Sequence, residues 1–451
     1  MEINRRKFLK TGILAAGALP VHGAFKSQKE VAGNIEGFTE PSRILPIAKE
    51  TDVIVCGGGP AGIAAAIASA RQGARTTLIE MYGCLGGIWT TGLLSYIIDY
   101  KEKPGIMKEL VNNLNKSDEP HLVYDAELMK RTLDKMCLDS GVDIRLHTKV
   151  TAAYRNSNNS LEYITTESFS GREAWKAKVF IDTTGNGELA ALAGCSFDVG
   201  HPDTGKVQPM SLMALLTGLN ENEITNAGFT GRSGFPSSKE KNFLYREIER
   251  AGLKASYTLP TLFSVREGLA ALMANHQYGV SILDANQVSK ATVEAREEIN
   301  MMVDGLRSLG GVWSKIRLVS TASQIGVREG RRIHGRYRIT KEDLIMGAEF
   351  DDAVCKVNYM VDVHSLEKKE GGGFSTYDIK TKPYDVPLRS LIAKEVDGLM
   401  MAGRCISGDF FAHASYRVTG NAVAMGEAAG QVAGQAALEN KKPQTIKYRR
   451  T

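Results

Sequence analysis

The pattern of apolar and polar positions is most regular between Asp52 and Glu80. Asp52–Cys56 is apolar on both faces, which predicts a central parallel strand covered on each side. From about Pro60 to Gln72 the chain is built of Ala, Ile and Ser, a helical stretch that Gly73 is placed to end. Arg75–Ile79 reads as a second strand ending at Glu80. Further on, "AELMKRTLDKMCLDSG" has the period of an amphipathic helix closed by Gly141, and "VDIRLHTKV" reads as a strand. The segment from Thr151 to Gly185 predicts a β-meander with "NSNNS" as a turn, closing on the strand "KVFIDTTG". From about Glu188 to Lys382 the pattern changes to several helices and a few strands, among them "MSLMALLTG" and "VCKVNYMVDVH". It then returns with the strand and turn "DGLMMAGRCISG" and one long helix of small residues, "NAVAMGEAAGQVAGQAALEN".

The resulting division is a terminal segment over 1–24, a polar lead-in over 25–49, an α/β nucleotide-binding part over 50–187, an inserted α+β substrate domain over 188–382, a return over 383–440 and a tail over 441–451. The 451 residues are long enough for two or three domains, and 43% hydrophobic with 24% charged residues is ordinary for a globular enzyme. Net charge is +5, and the densest basic cluster is "REGRRIHGRYR", Arg328 to Arg338. Nucleic-acid binding is therefore not expected. The cluster reads first as a solvated face with ion pairs, and second as a grip on an anionic substrate or phosphate.

The amino terminus differs from the rest. "MEINRRKFLK" is a basic run before a short, mildly apolar stretch that is too short and too rich in Gly and Ala to span a bilayer. "RRKFLK" resembles the twin-arginine export signal, with Asn4 where Ser or Thr is usual, and cleavage is expected near Gly23 or Ala24. That route exports folded proteins, so the resemblance implies a periplasmic or otherwise exported protein, folded before export by way of the machinery for folded proteins. The six cysteines include no C-x-x-C pair, which leaves a zinc or iron–sulfur centre without support; no metal site is expected. Most of the six read as small buried hydrophobes.

Gly57-x-Gly59-x-x-Gly62 carries the first chemistry. Gly57 allows the tight turn after the strand, Gly59 lets backbone approach a pyrophosphate, and Gly62 lets helix pack closely on sheet. Pro60 and Ala61 lie at the helix N-terminus, whose free N–H groups suit an anion. Glu80 stands at the end of the second strand, where a carboxylate binds ribose hydroxyls and repels a 2′-phosphate. These residues do not separate NAD from FAD. No second glycine fingerprint with strand, helix and acid occurs, so no nicotinamide domain is expected.

Together with "GCLGGIWTTG", "FIDTTGNGELAALAG", "YDVPLRSLI" and "LMMAGRCISGDFFAHASYRVTGNAVAMGEAAGQVAGQAA", the motif resembles FAD-dependent oxidoreductases with a glutathione-reductase-like flavin fold, in particular a secreted branch. The resemblance implies a Rossmann-like FAD-binding domain with a central parallel sheet and β-meander. It places Gly86, Gly87 and Thr91 in a loop passing the pyrophosphate and flavin, Val150 beside adenine, and Thr184 and Gly185 in a turn beneath the cofactor. Gly403 and Arg404 fall near the ribityl chain, and Asn421 and Ala422 at the start of a helix near the flavin. Its N-terminal dipole would favour reduced flavin. The Ala/Gly face of that helix is open to two uses, against the isoalloxazine edge or in plain packing.

For the accompanying proton transfer the candidates are His413 and Arg417, tied to the flavin-facing motif, and His364 at the end of "YMVDVH". Arg417 suits a substrate carboxylate, a proton donor, or an ion pair. Cys84 has no cysteine partner at short spacing, since Trp89 stands five residues later, which speaks against a disulfide reductase. The expected activity is hydride exchange between flavin and a small-molecule substrate, with a quinone, redox protein or other non-nicotinamide electron partner. The competing reading is a flavin-binding electron relay without a substrate of its own.

Overall fold

The computed structural model describes residues 37–114, 122–219, 237–368 and 373–449. The chain divides into Met1–Arg43 and Ile44–Thr451, and the architecture below is that of the second unit. The export signal expected at Arg5–Lys10 lies outside the described residues.

The central sheet has seven strands. Asp143–Arg145, Thr76–Ile79, Ile47–Cys56 and Gly171–Asp182 lie side by side, all parallel. The first strand is longer than Asp52–Cys56 because Ile47–Glu50 continues it along Gly171–Asp182 as an exposed extension before the fully buried half begins. The 12-residue strand Gly171–Asp182 serves two partners. Its first half is the last arm of an antiparallel meander with Leu161–Ser168 and Lys149–Arg155, and its last residues pair in parallel with Leu399–Met401. The expected meander and the returning strand thus meet on one element.

The helix Pro60–Arg71 carries almost no charge because it is buried on nearly every face. The long helix Thr419–Leu438 lies against it. Added Cβ atoms at Gly426 and Gly430 would stand 2.1 Å from the carbonyl oxygens of Ala61 and Ala65, closer than any real contact. The small-residue stripe is therefore consumed in helix–helix packing, with Gly434 continuing it toward Ser69. Of the two uses open from sequence, packing takes Gly426 and Gly430, and only the first turn of the helix is left for a ligand. That helix starts at Thr419, two residues before the expected Asn421.

A second apolar core gathers residues from Met210 to Ile325. It is built on a four-stranded antiparallel sheet in the order Thr261–Arg266, Leu269–Met273, Ala214–Thr217, Arg317–Thr321, with the helices Ser238–Arg250 and Ala285–Ser308. Ile333 to Val363 belongs instead to the first core, as do Leu189, Ala190 and Cys195. The stretch "VCKVNYMVDVH" is two strands, Ala353–Val357 and Val363–His364, separated by a bend where the Asn358 N–H donates to Asp99. No helix among the described residues is long and apolar enough to cross a membrane.

Candidate active site

The glycine loop has the geometry its spacing predicts. Gly57 has φ +104°, and a Cβ there would stand 2.6 Å from the Thr183 carbonyl oxygen. A Cβ on Gly62 would stand 1.8 Å from the Gly57 carbonyl oxygen, so neither position accepts a side chain. At Gly59 an added Cβ would meet nothing within 4 Å, so the loop faces open space there, with Pro60 as the first helical residue. Thr183 braces the loop from the neighbouring strand end, its hydroxyl reaching the Cys56 and Gly57 carbonyls at 2.9 and 2.7 Å.

Glu80 is 5% exposed. Its carboxylate accepts hydrogen bonds from the Gly58 N–H at 2.5 Å and the Tyr82 N–H at 2.8 Å. Burial raises its pKa while those two donors pull it back. The residue thus pins the phosphate loop to the second strand, beside the ribose role expected of it. The Thr148 N–H donates to the Glu80 carbonyl at 2.9 Å, which brings Val150, two residues on, to the same edge.

The other predicted loops converge on this point. The Gly86 N–H donates to the Gly58 carbonyl at 2.8 Å, and a Cβ on Gly87 would lie 3.1 Å from the Gly59 Cα. Thr91 donates to Gln324 at 2.7 Å, tying the loop to a segment far along the chain. Asp182, fully buried, accepts from the Thr184 N–H, the Thr184 hydroxyl and the Ala190 N–H, and so shapes the turn that carries Gly185. Burial raises its pKa. Gly403 has φ +84°, and a Cβ on it would lie 3.1 Å from Ala61 and 3.7 Å from Ala422. Arg404 donates to Asn186 at 2.6 Å, over Gly185.

Asn421, in the first turn of the long helix, is fully buried, and neither its Oδ1 nor its Nδ2 has a partner in the protein. A buried amide without partners costs on the order of 1–3 kcal/mol. Orphaned polar atoms beside an uncluttered glycine loop fit a polar ligand that bonds them, and the donor set fits a dinucleotide.

A second cluster lies around Asp362. The carboxylate Oδ2 is 3.1 Å from Arg417 Nη2, 3.5 Å from His364 Nε2 and 3.3 Å from the Tyr359 hydroxyl. His364 Nδ1 is 3.2 Å from His276 Nε2, and His276 Nδ1 is 3.2 Å from the Tyr278 hydroxyl. Arg328 donates to the Pro209 carbonyl and Ser211 hydroxyl at 2.7 and 2.8 Å. Among the described residues no carboxylate lies within 4 Å of Arg328. Burial, with repulsion from Arg417, lowers its pKa to about 10. Despite its burial, Asp362 is held well below the usual carboxylate range by His364, Arg417 and Arg328. Burial and Arg328 bring His364 down to about 4, against the pull of Asp362, and the same two causes push His276 lower still. Both rings are neutral at pH 7.

His364 and Arg417 are thus brought together, whereas His413 stands apart from that row. It is fully buried in the short helix Phe410–Tyr416, with neither ring nitrogen hydrogen-bonded. Burial and the charges of Arg332, Arg417 and Arg404 hold its pKa far down; the Arg404 carbonyl favours the charged form but is not aligned for a hydrogen bond. Sequence reading missed Asp362, His276, Tyr278 and Tyr257. The basic run, read from sequence as one cluster, splits in the structure. Arg336 and Arg338 do pair with Asp397 and Asp198, but Arg332 is buried against Glu329, and Arg328 faces the histidines. The missed signal was "NHQY", a histidine and tyrosine two apart on a short segment.

Of six cysteines, five are buried, and all six are free thiols; half-buried Cys84 lies 3.7 Å from the Thr90 hydroxyl.

Solved structures similar in outline include a geranylgeranyl bacteriochlorophyll reductase-like protein from Thermoplasma acidophilum, 14% identical over 87% of this chain and 80% of that one, at a TM-score of 0.46. A flavin-dependent brominase is 11% identical over 86% and 80%, at 0.47. A p-nitrophenol 4-monooxygenase from Pseudomonas putida is 13% identical over 64% and 70%, at 0.43. The family profile described as FAD dependent oxidoreductase matches residues 52–451. With the glycine loop, the buried amide of Asn421 and that match in hand, the chain belongs to the FAD dependent oxidoreductase family and is an FAD-dependent enzyme.

Proposed function

We propose that the chain is an exported oxidoreductase of glutathione-reductase-like flavin architecture that exchanges a hydride with a small carboxylate-bearing substrate, such as a hydroxy acid or an unsaturated acid. FAD would be held by Gly57, Gly59, Pro60, Ala61, Gly62 and Glu80 at its nucleotide end. Gly86, Gly87, Thr91, Gly185, Gly403 and Asn421 would flank the rest. Bound FAD supplies a reversible two-electron centre.

The observation that carries the substrate class is the charge count around Asp362. Arg328 and Arg417 bring two positive charges, Asp362 one negative and the two histidines none, and half-buried Lys241 adds a further positive charge within reach of Asp362. A largely buried excess of positive charge is costly unless an anion joins it. A carboxylate offsets it. Arg417 Nε and the amide nitrogen of buried Gln208 lack partners in the protein, while the Gln208 oxygen accepts from the His364 N–H at 3.1 Å. A carboxylate bound by Arg328 and Arg417 would bring the adjoining carbon toward His364, whose neutral ring takes or returns the proton. A quinone or redox protein would complete the electron cycle, and the Arg5–Arg6 signal supports export of the folded holoprotein.

The test is an anaerobic screen of the purified yellow protein. Hydroxy acids should bleach the flavin band, or unsaturated acids should restore it after reduction, while the corresponding amides leave it unchanged. Equal rates with neutral alcohols or sugars would overturn the substrate class.

A further inference from the structure

A proton that arrives at His364 must leave again, and the residue is only 7% exposed. His276, its neighbour in the row, is 2% exposed and lies against a tilted Tyr257 ring with centroids 4.0 Å apart. The outermost member of the row is Tyr278, which is half-buried. Its hydroxyl lies 3.1 Å from the Ser256 carbonyl as well as 3.2 Å from His276. The Ser256 hydroxyl is engaged elsewhere, donating to Glu298 at 2.8 Å and accepting from the His276 backbone N–H at 2.8 Å.

This set of distances allows two complete proton arrangements. In the first, the Tyr278 hydroxyl donates to the Ser256 carbonyl, His276 Nδ1–H donates to the Tyr278 oxygen, and His364 Nδ1–H donates to His276 Nε2. His364 Nε2 then carries a lone pair. In the second, every proton has moved one step: Tyr278 donates to His276 Nδ1, His276 Nε2–H donates to His364 Nδ1, and His364 Nε2–H points at Asp362. Both arrangements satisfy His276; the second also gives His364 Nε2–H the Asp362 carboxylate, while the first leaves that nitrogen a lone pair free to take a proton, and the Tyr278 hydroxyl turns between the Ser256 carbonyl and His276.

We infer that Asp362, His364, His276 and Tyr278 form a proton path that connects the buried reaction site to solvent. The path rests on the reading of His364 as the proton carrier. In the outward direction a substrate proton bonds to His364 Nε2, and the Nδ1 proton of that ring passes to His276 Nε2. The Nδ1 proton of His276 passes to the Tyr278 oxygen, whose own hydroxyl proton goes to water. Three bonds to hydrogen form within the row and three break, no electrons move, and one proton leaves. The rings then stand in the second arrangement, and rotation of the two imidazoles with the Tyr278 hydroxyl restores the first with the released proton left in water. Asp362 favours a proton on His364 Nε2, while Arg328, beside both rings, and Arg417, beside His364, oppose the doubly protonated imidazolium. That opposition suits a carrier that passes its proton on. His276 and Tyr278 are accordingly positioning residues, acting on substrate only through His364.

The test needs no substrate, so its failure and the failure of the proposed activity are separable. Holoprotein labelled with 15N in its eight histidines is observed at the ring nitrogens, with His276→Gln and His364→Gln used for assignment. Wild type should give ring shifts at both residues intermediate between the protonated and lone-pair limits, the sign of two arrangements in exchange. In Tyr278→Phe both rings should move together to the Nε2–H limit, because Asp362 is then the remaining polar group that biases the row. His364 shifts that are the same in wild type and Tyr278→Phe would overturn the path. A second measurement uses wild type alone: the His364 ring proton should exchange with water within milliseconds despite its burial, and protection over minutes would also overturn it.

Discussion

The nucleotide cradle and the Asp362 cluster solve opposite problems. The cradle is shaped by small residues, with the carboxylates of Glu80 and Asp182 spent on backbone N–H groups: Gly57 and Gly62 let backbone approach backbone, and Gly403 lies close to the methyls of Ala61 and Ala422. The cluster is crowded with ionisable side chains, and its groups act by holding charge and protons out of water. A cradle fails when something is added to it; the cluster fails when something is removed. Small residues at fixed offsets define the first, and the second is gathered from Ser256, His276, Arg328, Asp362 and Arg417 on separate elements.

That contrast can be broken experimentally. The largest effect is expected at Gly62→Val, where a side chain must enter space held by the Gly57 carbonyl. The variant should be colourless, with no flavin band after purification, and should melt well below wild type. Retention of stoichiometric FAD would show that the cradle tolerates addition.

Asp362→Asn should act by removal. It leaves Arg417 without its carboxylate partner and takes away the negative charge that Arg328 feels from nearby, and breaking a buried ion pair in this way costs about 3–5 kcal/mol. Denaturant unfolding measures that loss. The flavin band should survive, since the nucleotide loops are elsewhere, and its disappearance would merge the two regions.

Stability should also fall with acid. His364 has its folded pKa brought down to about 4 from an ordinary value of 6.5, so between those pH values the unfolded chain binds the extra proton and the folded one does not. Its contribution is fully present above pH 6.5 and is lost as pH falls toward 4, on the order of 3 kcal/mol. His276 shifts in the same direction. Melting followed from pH 7 to 4 should show the decline, and His364→Gln should flatten part of it. A flat wild-type profile would mean that the histidines do not enter the fold neutral.

The smallest effect is expected at Asn421→Ala. The apoprotein should lose nothing, since neither amide atom is bonded within the protein, while FAD affinity should weaken by about 1–3 kcal/mol. Calorimetric titration of apoprotein with FAD measures both. Equal affinity in the variant would remove Asn421 from the cradle.

These expectations divide along the line of what sequence discloses. Gly57, Gly59, Gly62 and Glu80 were legible because each follows from one strand–turn–helix whose spacing alone fixes the geometry. The meander was legible from its turn. The convergence of Gly403 and Asn421 on the loop came through resemblance rather than pattern. The Asp362 row was not legible: Asp362 sits two residues before His364 in a bend that pattern reading took as continuous strand. His276 follows the strand Leu269–Met273 by a short loop, and nothing in the run announces a histidine partner 88 positions away. Arg328 was hidden by its basic neighbours, because charge density along a chain does not say which member turns inward. The glycines of the last helix were visible, but their partner, the carbonyl edge of the first helix, required the fold.

That helix pair has a consequence for the order in which the molecule is made. The Pro60–Arg71 helix is synthesised well before the Gly426 and Gly430 surface that covers it. Contacts so distant along the chain form slowly and late. The nascent nucleotide loop must therefore wait, its apolar helix uncovered, until the Thr419–Leu438 segment has left the ribosome. Emergence of that helix, rather than arrival of the glycine fingerprint, sets the moment at which FAD can be locked in.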